Sequence, residues 1–211
     1  MRALLVGCGS KWGKVFSETL IAQGWNLTVI TGSDSDLACE QIKIDWTAID
    51  QQQLTDLCYQ LDQKPWDLIF FNHVQHGGPG GDSFAPDSYT GDFARWARSA
   101  WVNNWMPYLM VKNLKNSCGP MTKVGWMMTG MINNKHDANI EKYPFYAASK
   151  FTNHCVMKSF GANHPATFFA INPSWFPPGE EQRDADQIVK VIDSIVPDQS
   201  GMSWNKDGTA W

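Results

Sequence analysis

Short apolar runs alternate with longer stretches of helical periodicity along this chain. Leu4-Leu5-Val6 closes on Gly7 and has the pattern of a buried strand. A helix follows from about Gly13 to Gln23, with Phe16 and Leu20 on one face and Gly24 as its stop. Leu27-Thr28-Val29-Ile30, rich in β-branched residues, is a second strand, and the alternating Ile42-Lys43-Ile44-Asp45 a third. Ile49 to Leu61 is helical in period and Pro65 ends it. Leu68-Ile69-Phe70-Phe71 is a fully apolar fourth strand. The stretch QHGGPGGDS is a loop of glycines and turn formers. A long helix is expected from about Asp92 to Lys115, interrupted by Pro107. Val124 to Met128, Phe168 to Ile171 and Ala185 to Ile195 complete the series as strand, strand and final helix, with a helix carrying Tyr146 between the two strands.

Buried strands alternating with amphipathic helices imply a parallel sheet covered on both faces, a doubly wound α/β fold of Rossmann type. With 211 residues the chain is expected to form one domain, residues 1–211. It has no internal repeat, low-complexity tract or linker. The composition, 43% hydrophobic and 18% charged, is that of a soluble globular protein. A formal net charge of -4 argues against nucleic acid or an anionic membrane surface as partner. No apolar stretch approaches a membrane span, and Met-Arg-Ala-Leu-Leu-Val is too short for a signal peptide. Five cysteines without C-x-x-C spacing give neither a disulfide framework nor a zinc signature, so reduced thiols and a cytoplasmic location are the simplest account.

In such a sheet, ligands bind beyond the carboxyl ends of the strands, and the candidate chemistry falls there. The first strand exits into GCGSKWG, where Gly7, Gly9 and Gly13 precede a helix. Glycines let the backbone approach a pyrophosphate, whose charge the helix N-terminus stabilises. Farther on, YPFYAASK places Tyr146 and Lys150 four residues apart on one helical face, with only Ala147, Ala148 and Ser149 between. A half-buried tyrosine beside a solvated lysine would give the same pattern. His73 and His76 suggest a metal pair but have no third ligand at suitable spacing, and read as surface or substrate-pocket residues. Cys8 reads as the small residue its turn needs, and Met127 and Met128 as core.

Taken in order, these motifs resemble the short-chain dehydrogenase/reductase family over nearly the whole chain. YAASK matches its Tyr-x-x-x-Lys motif at Tyr146 and Lys150. FFNHV places Asn72 at the second asparagine of its Asn-Asn-Ala-Gly, WVNNW supplies a helix asparagine at Asn103, and IDW puts Asp45 where the family has an aspartate near the adenine. The ending SGMSWNKDGTAW, with its Asp-Gly turn and Trp211, resembles the C-factor-like branch of small members. Three departures stand out. Lys11 replaces the middle glycine of the usual loop, with Gly9 two places earlier. The family serine aligns with Thr129, farther from Tyr146 than usual, which implies an insertion in INNKHDANIEK. The family's Pro-Gly reads Pro173-Ser174.

The resemblance implies an oxidoreductase interconverting a carbonyl and an alcohol, with a nicotinamide cofactor as hydride donor or acceptor. Tyr146 would move the proton, and a nearby Lys150 ammonium would favour its phenolate. Lys150 would also hold the nicotinamide ribose, and Thr129 would bind the substrate oxygen. Asn103 has an argument of its own, because Pro107 four residues later lacks an N–H and leaves the Asn103 carbonyl without a helical partner. A mere kink is the other reading. The cofactor-binding residues implied are Gly7, Gly9, Ser10, Lys11, Trp12, Gly13, Thr31, Ser33, Asp45, Asn72, Lys150 and Pro173. NADP(H) is favoured over NAD(H), because Thr31, Gly32 and Ser33 stand where an NAD site carries an acid. Lys11 would add charge for a 2′-phosphate, or else be solvated. The short stretch PSWFPPGEEQRD implies an open, aromatic lid with Trp175 and Phe176. A homodimer or homotetramer through the long helix, acting on a small-molecule carbonyl or alcohol, is implied by family habit. The alternative is a catalytically idle nucleotide-binding sensor or signalling protein of the same fold.

Overall fold

The computed structural model describes residues 1–46, 48–73, 93–129, 144–173 and 179–211. The glycine loop QHGGPGGDS with His76, the insertion in INNKHDANIEK, and Trp175 and Phe176 of the lid lie outside the described residues. The elements run β1 (Arg2–Val6), α1 (Lys11–Ala22), β2 (Asn26–Thr31), β3 (Glu40–Lys43), α2 (Gln51–Leu61), β4 (Leu68–Phe71) and α3 (Phe93–Ala100). A π-helical turn (Trp101–Trp105), α4 (Met106–Asn113), β5 (Lys123–Met127), α5 (Pro144–Asn163) and β6 (Thr167–Asn172) follow. Last come α6 (Glu181–Ser194), a 3₁₀ turn (Pro197–Gln199) and β7 (Met202–Asn205).

The seven strands form one parallel sheet in the order β3-β2-β1-β4-β5-β6-β7. From β1 the chain winds outward to β3, then crosses back to β4 and winds the other way. The crevice where that order reverses lies between the carboxyl ends of β1 and β4. Successive residues of β1 serve opposite faces, as the two-residue period of a strand demands. Leu4 and Val6 pack with Leu54, Met106, Met110 and Met157, whereas Leu5 packs with Phe16, Leu20, Ile188 and Val189. Burying each such side chain contributes about 1.5–3 kcal/mol, which is why strands sandwiched between helices read as unbroken apolar runs. Gly125 in β5 has its own packing reason: a Cβ there would lie 2.4 Å from the Phe169 ring and 2.6 Å from that of Phe70.

Two expectations are corrected. The sheet has a seventh strand, because Met202–Asn205 pairs in parallel with β6. Its sequence, Met-Ser-Trp-Asn, alternates apolar and polar residues but over only four positions, too short a run to mark a strand by itself. The Asp-Gly turn does form, with Gly208 at φ +86 and a bridge that returns Ala210 to Trp204. The long helix, in turn, is not one α-helix with a proline kink. Before Pro107 it passes through the π-turn, in which the Met106 N–H donates to the Trp101 carbonyl. That shift withdraws the donor an α-helix would offer to Val102, and Pro107 has none to replace it.

Candidate active site

The glycine-rich turn is held against the sheet by the end of β4. Gly7 leaves β1 at φ +95, and a Cβ on it would sit 2.5 Å from the Cα of His73. The Asn72 side chain donates to the Gly7 carbonyl at 2.8 Å, and the backbone N–H groups of Asn72 and His73 both donate to the Val6 carbonyl. At Gly13 a Cβ would lie 3.0 Å from Asn72 Nδ2. The turn therefore lies flat on β1 and β4 and carries the N-terminus of α1 to the crevice. Ser10 caps that helix, its Oγ accepting from the Gly13 N–H at 3.0 Å. Such a glycine cradle ending in a capped helix fits the pyrophosphate of a dinucleotide. Trp12 is buried and stacks on Phe16, so of GCGSKWG it serves the core. Cys8 is buried as well.

Lys11 is the first residue of α1, so the departure from the glycine pattern leaves the helix intact. Its side chain turns toward α6, where Nζ donates to Glu181 Oε1 at 2.6 Å and holds that carboxyl below the usual carboxylate range. At the end of β2, the Thr31 hydroxyl donates to the Ser33 carbonyl at 3.0 Å, and the place of a Cβ on Gly9 lies 3.3 Å from Ser33 Oγ. Two lysines that sequence reasoning passed over border this loop, Lys14 paired with Asp36 and Lys43 paired with Asp34. Pro173 is buried just beyond β6.

The proton-handling groups converge from α5, the π-turn and the end of β5. Tyr146 hydrogen-bonds with the Thr129 side chain. Lys150, on the same face of α5, has its Nζ 5.8 Å from the centre of the tyrosine ring and donates to the Met127 carbonyl at 2.8 Å. Burial pushes the lysine down to about 8. The same burial pushes the Tyr146 phenol up, opposed by the Thr129 hydrogen bond, so the expected lowering of Tyr146 by Lys150 does not govern this arrangement. Asn103 is buried, and its Nδ2 donates to Ser99 Oγ at 3.2 Å and to Ser149 Oγ at 3.4 Å. Ser149 passes the connection on, donating from Oγ to the Tyr146 carbonyl at 2.8 Å. The structure thus brings Tyr146, Lys150, Thr129 and Asn103 into one neighbourhood, with the glycine turn across the crevice.

Asn104 and His73 do work that sequence reasoning missed. Asn104 Nδ2 donates to the Ser149 carbonyl at 2.7 Å and to Asn153 Oδ1 at 2.9 Å, fixing α5 against the π-turn. The adjacent asparagines in WVNNW were the available signal. His73 is half-buried at the end of β4, and the metal pair it would form with His76 lies outside the described residues. Its Nε2 meets the Val102 carbonyl at 2.7 Å, the oxygen deprived of a helical donor by the π-turn. Because a carbonyl only accepts, Nε2 carries the proton and Nδ1 is left as the acceptor. Burial pushes the imidazole down to about 4, the Val102 hydrogen bond opposing and the Lys150 charge reinforcing the shift. Among the described residues no group of three or more His, Cys, Asp or Glu could hold a metal ion.

No protein-family model matches the chain, and no curated protein matches it by sequence. Solved structures match it along its full length. A protein of Burkholderia multivorans described as a short-chain alcohol dehydrogenase superposes with a TM-score of 0.78 at 18% identity, covering 99% of this chain and 97% of its own. A carbonyl reductase from Pseudomonas aeruginosa, solved also in complex with NADP, gives 0.77 at 14% identity over 100% and 99% of the two chains. The short chain dehydrogenase of Shigella flexneri gives 0.73 at 13% identity over 97% and 90%. The likeness is to the fold as a whole and does not single out the C-factor-like branch. The chain has the fold of the short-chain dehydrogenases/reductases.

Proposed function

We propose that this chain is an NADP(H)-dependent oxidoreductase, a single dinucleotide-binding domain that interconverts a carbonyl and an alcohol of a small molecule. The observation that carries the reading is the set of contacts joining Tyr146, Thr129 and Lys150 beyond the end of β5, across the crevice from a glycine turn that fits a pyrophosphate. When bound, the nicotinamide supplies or accepts the hydride. In the direction of reduction, the Thr129 hydroxyl donates a hydrogen bond to the substrate oxygen and the Tyr146 O–H gives that oxygen its proton, leaving a phenolate. A phenol raised by burial is the protonated form at neutral pH, which suits a donor. Lys150, buried and lowered to about 8, returns a proton and binds the nicotinamide ribose in this reading. Asn103 and Ser149 fix the backbone at Tyr146.

NADP(H) over NAD(H) is supported by the absence of an acid at Thr31, Gly32 and Ser33, by the lysines bordering the loop, and by the NADP bound to the Pseudomonas reductase. Asp45 and Asn72 complete the nucleotide side. Among the described residues no helix is long and apolar enough to cross a membrane. A cytoplasmic location rests on the cysteine usage. Titration with NADPH and NADH, followed by turnover on aldehydes, ketones and quinones, tests the proposal. Nucleotide binding without turnover on any of them would favour the idle sensor.

A further inference from the structure

The chain after β3 continues alongside the end of β2. The Ile44 N–H donates to the Thr31 carbonyl at 2.9 Å, extending the parallel ladder, and two residues later Trp46 meets Gly32. The edge of the Trp46 indole then abuts Gly32: a Cβ on that glycine would be 2.3 Å from Cδ1 and 2.4 Å from Nε1 of the ring but 3.6 Å from Cγ. One face of the indole stacks on the His73 imidazole, the centroids 5.1 Å apart and the planes inclined by 9°. His73 belongs to the end of β4 and is fixed there by Val102 and Val6. The ring therefore spans the crevice from the end of β2 to the end of β4.

In a doubly wound sheet that accepts a dinucleotide, the adenosine ribose lies at the end of the second strand, with the pyrophosphate at the first helix. The glycine turn fits that pyrophosphate, but the flat slot beside it, faced by the His73 imidazole and bounded at its edge by Gly32, is filled by a side chain of the protein. An indole and an adenine are both flat, fused two-ring aromatics of similar size. A bare glycine and a parallel imidazole suit either one.

We infer that Trp46 is a displaceable stand-in for the adenine ring, and that the adenosine half of a dinucleotide enters only when the indole turns out of the slot. This rests on the nucleotide-binding reading above. The main chain is anchored independently, by Ile44 to Thr31 and by the Arg98 guanidinium donating to the Trp46 carbonyl, so side-chain rotation suffices. Because only the open form binds, apparent affinity is reduced by the fraction open, and the penalty falls on ligands that carry adenine.

The test is calorimetric binding to Trp46→Ala, with Trp46→Phe as a milder variant should the first fail to fold. Three probes are used: NADPH, adenosine 2′,5′-bisphosphate and reduced nicotinamide mononucleotide, which has no adenine. We expect Trp46→Ala to tighten NADPH and the bisphosphate by about tenfold while nicotinamide mononucleotide changes less than about twofold, with Trp46→Phe between. Unchanged or weaker binding of both adenine ligands to the variants overturns the inference and leaves the oxidoreductase reading standing. Equal tightening of all three probes also overturns it. Failure of every probe to bind either the natural protein or the variants overturns both.

Discussion

The Lys150 Nζ donates a hydrogen bond to the main-chain carbonyl of Met127 at 2.8 Å, and both residues are buried. A buried ammonium costs stability unless it is neutralised, which is why burial pushes this lysine from 10.5 down to about 8. Between about 8 and 10.5 the unfolded chain holds a proton that the folded protein has released. Stability attributable to this residue therefore rises with pH across that window and is at its lowest below it. Lys150→Met should stabilise the protein at pH 7 by about 1–3 kcal/mol while abolishing turnover. Urea unfolding at pH 7 and pH 10 checks this. A gain that does not shrink at the higher pH would refute it.

Tyr146→Phe removes the proton donor and keeps the ring. Turnover should fall by about a hundredfold or more, with NADPH affinity nearly unchanged. Steady-state kinetics beside a binding titration separates the two quantities, and near-natural turnover would remove Tyr146 from its role.

His73 should make the protein sensitive to acid. The residue is half-buried, and its Nδ1 is cut off from solvent without a hydrogen-bond partner among the described residues. As pH falls from 6.5 toward 4, the unfolded imidazole takes up a proton and the folded one does not, so stability is lost. The loss is on the order of 2–3 kcal/mol over that window. His73→Gln retains a donor for Val102 and cannot titrate. Its unfolding free energy should therefore decline less between pH 7 and pH 4.5, and parallel curves for the two proteins would count against the assignment.

Lys11 is paired with Glu181, so a 2′-phosphate would have to draw it away. Lys11→Ala should weaken NADPH by about tenfold and NADH much less. Glu181→Gln, which releases the ammonium, should tighten NADPH instead. Equal effects on both nucleotides would assign Lys11 to the α1–α6 contact alone.

Trp105 and Phe151 are each 57% exposed, one on the π-turn before α4 and the other on α5. Large apolar side chains presented by adjoining helices are suited to a two-fold contact with a second copy. Light scattering should give the mass of a dimer or tetramer at micromolar concentration, and Trp105→Lys should shift it toward the monomer.

The fold was legible wherever burial on both faces left an unbroken apolar run, as in Leu4-Leu5-Val6 and Leu68-Ile69-Phe70-Phe71. It was not legible at β7, whose alternation covers only four residues and whose place is fixed by pairing with β6. Tyr146 and Lys150 could be placed on one face because helical spacing is local. Asn103 follows from the resemblance and from Pro107, yet the carbonyl left without a helical donor is that of Val102, one residue earlier, because the helix changes register. The contacts of His73 and Trp46 were not legible. Their positions are set by partners far along the chain, Val102 for the first and Gly32 for the second.

The π-turn and His73 form a heritable unit. A change near Pro107 that restored ordinary α-register would return the Val102 oxygen to the Met106 N–H. The imidazole N–H would then be stranded beside Lys150. Loss of the histidine would strand the carbonyl instead. Either change alone meets a penalty that the other relieves, so substitutions at 73 and within 101–107 should be strongly epistatic and descend together.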